Sequence, residues 1–256
     1  MEHTEWISHG DRFVLDAGKP ITYEEEGIGV DLRQPLPGIE SIMDAQFRSQ
    51  EESFGTLKLP CVMVIPKLVE HVDSRTQMGT FPTYCFSPDS PIVRAATGYL
   101  GRQIIYNATI QLQGKLLARS VAVRLGKLRV LELKIDAIDG IPNAAPELVP
   151  DSQVRKETKP QRVKAGPNVV PPKPVVTPEA EFPGEAPHTG MNGNATVGFV
   201  VGTDGMVYDP HIVKATGPDF AVQALKAVAH YKFKPAMMDG KPVETNMNIE
   251  VRFKGP

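Results

Sequence analysis

No stretch of this sequence approaches 18 consecutive apolar residues, so a membrane-spanning helix is not expected. The best short run, Cys61-Val62-Met63-Val64-Ile65, has strand length and stops at Pro66. An excess of positive charge is missing too: 28 Lys and Arg stand against 30 Asp and Glu, a formal net charge of −2, and no basic block suggests a phosphate-tracking surface. Nucleic acid is therefore not an expected partner. The first twenty residues contain neither a basic n-region nor an apolar h-region, so no secretion signal is visible. Cysteine is scarce, with only Cys61 and Cys85. The two could form a disulfide, which the chain-entropy model values at ~3 kcal/mol, or stand as two buried thiols; export favours the first and a reducing compartment the second.

Metal and nucleophile signatures are lacking as well. His3, His9, His71, His188, His211 and His230 are scattered, and neither cysteine has a Cys or His at ligand spacing. There is no Gly-x-Ser-x-Gly elbow, no phosphate-binding Gly-Lys-Ser/Thr loop and no dinucleotide fingerprint. The Glu24-Glu25-Glu26 run reads as a solvated face. We expect no catalytic residues, no metal and no cofactor, and hence not an enzyme.

Proline, by contrast, is abundant: 24 residues, roughly twice the usual share of ~5%, with eleven between Pro142 and Pro187. Such a tract in mid-chain predicts a linker over residues 141–177 between a unit at 1–140 and a second at 178–256. Proline favours extended geometry, so about 35 residues at ~3.1 Å each would reach on the order of 100 Å.

Residues 1 to about 55 show weak periodicity. From Gln103 to Asp136 a three-strand antiparallel meander is predicted, with Ile104, Tyr106, Ala108, Ile110 and Leu112 on one face, and turns at Gln113-Gly114 and Gly126-Lys127. Near the C-terminus, Asn194–Val201 and Met206–Lys214 read as a hairpin around Gly202-Thr203-Asp204-Gly205, with an edge or a bulge at Pro210. A helix follows, capped by Gly217 and entered through Pro218, with Ala221, Val222, Leu225, Val228 and Ala229 as its apolar stripe. Thr245–Phe253 alternates, with Met247, Ile249, Val251 and Phe253 inward and Asn246, Asn248, Glu250 and Arg252 outward. The class is α+β: a β-rich antiparallel N-terminal domain, a proline-rich linker, and a small αβ C-terminal domain of three antiparallel strands and a helix.

Several of these residues also carry a resemblance. Glu181-Phe182-Pro183, Gly193, the turn Asp204-Gly205-Met206-Val207, Tyr231-Lys232-Phe233-Lys234-Pro235-Ala236, Asp239-Gly240-Lys241-Pro242 and Ile249-Glu250-Val251-Arg252-Phe253 follow one another at spacings that resemble the C-terminal domain of the TonB family, over residues of about 178–254. The resemblance implies a periplasmic or cell-envelope domain of the energy transducer for outer-membrane uptake. In that family the domain binds a peptide of a TonB-dependent outer-membrane transporter by strand addition, and an N-terminal helix engages an inner-membrane motor. This chain shows no such helix, so the motor becomes a partner only where one precedes it. Carried over, Phe182 and Pro183 stand where the family has Tyr-Pro before a short helix, and Asn246, Met247, Asn248, Ile249, Glu250, Val251, Arg252 and Phe253 form the receiving strand. Unpaired N–H and C=O groups at such an edge bind through the main chain. Two alternatives remain: a soluble periplasmic scaffold or assembly module that forms a homodimer through the same edge, and an enzyme with its site in the N-terminal domain.

Overall fold

The computed structural model describes residues 4–8, 11–15, 35–73, 76–112, 114–137, 155–156, 162–164, 166–184 and 192–255. The acidic run at 24–26 and the short helix expected after Pro183 fall outside the described residues. A hairpin, β1 (Thr4–Ser8) and β2 (Asp11–Leu15), leads in. After a single turn of helix, α1 (Ile39–Ile42), come β3 (Gln46–Phe54), β4 (Leu57–Ile65), the two-residue β5 (Leu68–Val69), β6 (Thr83–Ser87), β7 (Ser90–Thr97), β8 (Arg102–Leu112), β9 (Lys115–Leu125) and β10 (Leu128–Lys134). Apart from β5 these strands form one antiparallel sheet in the order β10-β9-β8-β7-β6-β4-β3.

The two-residue period explains β4, where Leu59, Cys61, Met63 and Ile65 are buried and their neighbours are not. Cys61 lies opposite Cys85 on the adjoining strand, Cα to Cα 4.0 Å, and the two are joined by a disulfide. The meander lies where the pattern put it, with one correction. Ile104 and Tyr106 are buried, whereas Ala108 is exposed with φ of 49°. The reason is local: with its left-handed backbone Ala108 drops out of the β8–β9 ladder between the Asn107–Ser120 and Thr109–Ala118 pairs.

The second half contributes β11 (Arg155–Lys156), β12 (Arg162–Val163), β13 (Val169–Val170), β14 (Lys173–Val176), β15 (Asn192–Val201), β16 (Val207–Ala215), helix α2 (Pro218–Val228), β17 (Lys232–Lys234), β18 (Ala236–Met238) and β19 (Lys241–Lys254). Three long antiparallel strands, β16-β15-β19, form the expected ββαβ core with α2 packed on one face. Gly217 precedes the helix in extended conformation and Pro218 opens it, as its fixed φ favours. Phe220, Ala224 and Ala227 are buried in addition to the expected stripe, while Val222 and Ala229 are only half-buried.

Four short strands enlarge this sheet: β18 and β13 beyond β19, β12 on β19, and β5 on β16. Two of these additions, β5 and β12, run parallel to their neighbours. The described part of the proline-rich tract therefore lies along the sheets as strand. From Val169 to Pro174 its partners keep a single register, Val169 opposite Met238, Val170 opposite Met237, Lys173 opposite Lys234 and Pro174 opposite Phe233, before a shift that sets Val176 opposite Lys232, so β13 and β14 are one ribbon interrupted at Pro171-Pro172. Those prolines lack an N–H, which is why the ladder skips them.

The two halves share one core. Met63, Ile65, Val69 and Phe81 pack with Val197, Phe199, Ile212, Ala221, Leu225 and Val228. Val69 pairs with Ala215, the Glu70 N–H donates to the Ala215 carbonyl at 2.9 Å, and the Gln46 side-chain amide holds the Lys67 and Val69 carbonyls at 3.1 Å each.

Candidate functional site: an open strand edge

At β19 the sequence alternates apolar and polar residues, and the strand pairs with β15 over ten consecutive residues, Asn192 opposite Lys254 through Val201 opposite Thr245, without a register break. Val251 and Phe253 are buried toward α2, Met247 and Ile249 are half-buried on the same face, and Asn246, Asn248, Glu250 and Arg252 are exposed on the other. Glu250 accepts hydrogen bonds from Arg252 at 3.0 and 2.8 Å, so these two charges largely satisfy each other.

The far side of β19 is occupied only at its beginning. β18 pairs with Lys241, Pro242 and Val243, and β12 pairs with Glu244 and Thr245. Thr245 thus has Val201 on one side and Val163 on the other. From Asn246 to Lys254, among the described residues, no strand pairs on that side. Backbone groups of alternate residues there face outward.

A second edge invites comparison. The outer side of β16 is paired only at Lys214 and Ala215. Before that point β16 carries two register shifts against β15, one at Asp209-Pro210, where Asp209 has φ of 47°. The sequence anticipated a bulge or an edge at Pro210. A bulged edge with a missing donor is a poor template for another strand, whereas the regular edge of β19 is a good one.

Phe182 and Pro183, named with this strand from the sequence, reach the same end of the sheet through a third ring. Pro183 is buried, and Phe182 is half-buried with its ring 5.9 Å from that of Phe220, which in turn lies 5.2 Å from Phe253. Gly193 makes this stack possible, since a Cβ there would sit 2.5 Å from the Phe220 ring. Sequence reasoning missed Glu244 and Arg162. Glu244 is buried, yet its carboxylate is held by the Arg162 guanidinium at 3.3 Å. The two are 82 residues apart, and no local pattern could have joined them.

Among the described residues no group of three or more His, Cys, Asp or Glu could hold a metal ion, and no helix is long and apolar enough to cross a membrane. The hollow at the β18–β19 turn is lined by Met238, Asp239, Lys241, Pro242 and Val243.

A search of curated proteins finds no match to the chain. Residues 178–254 match the family described as the Gram-negative bacterial TonB protein C-terminal. That family is a non-enzymatic one of energy transduction and protein interaction, which supports a role in cell-envelope transport. Its members interact with proteins such as outer-membrane transporters. The matched segment begins at the end of the proline-rich ribbon and closes with β19, and on this match together with its fold the C-terminal part of the chain is a TonB-family C-terminal domain.

Proposed function

We propose that this protein works in the periplasm and captures an extended segment of a TonB-dependent outer-membrane transporter, which joins the sheet as a new strand along Asn246–Phe253. The observation that carries the reading is the contrast between edges: β19 is regular and unpaired from Asn246 onward among the described residues, while β16 is bulged and partly covered. Strand addition buries modest area, so the complex is transient. Affinity comes from the main chain, and selectivity from Met247 and Ile249 on one face and Asn246, Asn248 and Glu250 on the other. The proline-rich tract 141–177 acts as the connector between the units 1–140 and 178–256.

Proline substitution tests this directly. Neighbouring residues of a strand send their N–H groups to opposite sides, so of Asn248→Pro and Ile249→Pro one removes a bond to β15 and the other an outward donor. The first should lower stability by roughly 1–3 kcal/mol, since it leaves a buried carbonyl of β15 without its donor. The second should leave the fold intact and weaken binding of a transporter's periplasm-facing peptide at least tenfold by calorimetry. Unchanged binding in the folded variant rejects the site. A mass that doubles with concentration in light scattering, and that the peptide reverses, would assign the edge to self-association.

A further inference from the structure

We infer that Arg162 and Val163 are the end stop of the strand-receiving edge: the chain's own short strand β12 fixes where an incoming strand begins and confines it to the nine residues Asn246–Lys254. This inference rests on the proposed strand capture and adds to it the length and pattern of the guest. β12 sits on the same side of β19 that a guest would use, immediately before Asn246. Its position is secured by chemistry as well as pairing. Glu244 has a side chain only 6% exposed, and an ionised carboxylate so buried requires a partner, which Arg162 supplies. Lifting β12 away would break the ion pair to that buried carboxylate together with the ladder to Glu244 and Thr245, which opposes displacement by a guest strand.

The remaining window also defines the guest's chemistry. On one face the guest's alternate side chains would lie beside Met247 and Ile249, which are half-buried and border the α2 face of the sheet. On the other they would lie beside Asn246, Asn248 and the Glu250–Arg252 pair. The matching segment is a strand of about eight or nine residues with alternating apolar and polar side chains and no proline at the positions that bond to β19.

Two peptides of this alternating pattern, one of eight residues and one of twelve, provide the probe. On the full chain both should bind with the same affinity, because the extra residues meet β12. In Arg162→Glu, a carboxylate placed beside Glu244 should release β12. Backbone amide exchange at residues 163, 244 and 245 should then accelerate at least tenfold, with the β15–β19 amides unchanged, and the longer peptide should bind several-fold tighter than the shorter. Arg162→Lys keeps the charge and should behave as the natural chain. Tighter binding of the longer peptide to the natural chain, or unaltered exchange in Arg162→Glu, overturns the inference. Failure of both peptides on every variant would instead remove the strand-capture reading, and the stop with it.

Discussion

Tyr99 shows what a single residue contributes where the two halves meet. Burial pushes its phenol well above the ordinary range; a hydrogen bond with the Ile212 backbone works in the opposite direction, and the nearby Tyr84 adds to the rise. Its neutral form is therefore the one the fold accepts. The unfolded phenol ionises near pH 10, so the stability that Tyr99 provides is complete below that value and is lost as pH rises further toward the elevated folded value. Denaturation midpoints should fall above about pH 10, and Tyr99→Phe should flatten that decline. Gly205 is constrained for a different reason. Its φ is 81°, its carbonyl accepts the Phe233 N–H at 2.8 Å, and a Cβ would stand 1.9 Å from the Phe233 oxygen. Gly205→Ala should lower stability by roughly 2 kcal/mol or more in urea titrations, since both the backbone conformation and the contact oppose the methyl.

Among the elements, β16 is built to resist pairing. Replacing Asp209-Pro210 with Thr-Val should straighten its outer edge, restore a donor and promote association, which a concentration series in light scattering would register as growth in mass. Elements with a clear period were readable from the sequence: β8, β9 and β10, the β15–β16 hairpin, α2 behind its Gly217-Pro218 entry, and the alternating β19. The buried face of β19 was readable for the same reason, whereas its open edge came only from the family resemblance, since alternation fixes faces and not lateral neighbours. Strands of two or three residues were not readable. β5, β12, β13 and β18 are too short to show a period and exist because position brings them beside a longer strand. Helix α2 was read as having one buried stripe, but residues from both halves of the chain surround it, and Phe220 gains its place from Gly193, 27 positions earlier in a different element.

For the whole molecule, the shared core matters more than the covalent connection. Because Met63, Ile65, Val69 and Phe81 pack directly with Val197, Ile212 and Leu225, cleavage at a protease site inserted between Asn143 and Asp151 should leave the two fragments eluting together in size-exclusion chromatography. Fragments that separate would contradict the common core. The same arrangement covers much of the C-terminal sheet's edges among the described residues: β5 covers the end of β16, the β13–β14 ribbon covers β17 and β18, and β12 covers the start of β19.

That packing also changes how a pull would travel. Tension between the front of the polypeptide and its last strand would be borne by the parallel contact of Val69 with Ala215 and the apolar seam around Phe81, alongside the ladders that hold β12, β13 and β14 of the proline-rich tract to the sheets. Only once that seam and those ladders gave way would the tract be drawn toward its full extension, roughly 3.1 Å per residue, so together they would act as a mechanical fuse.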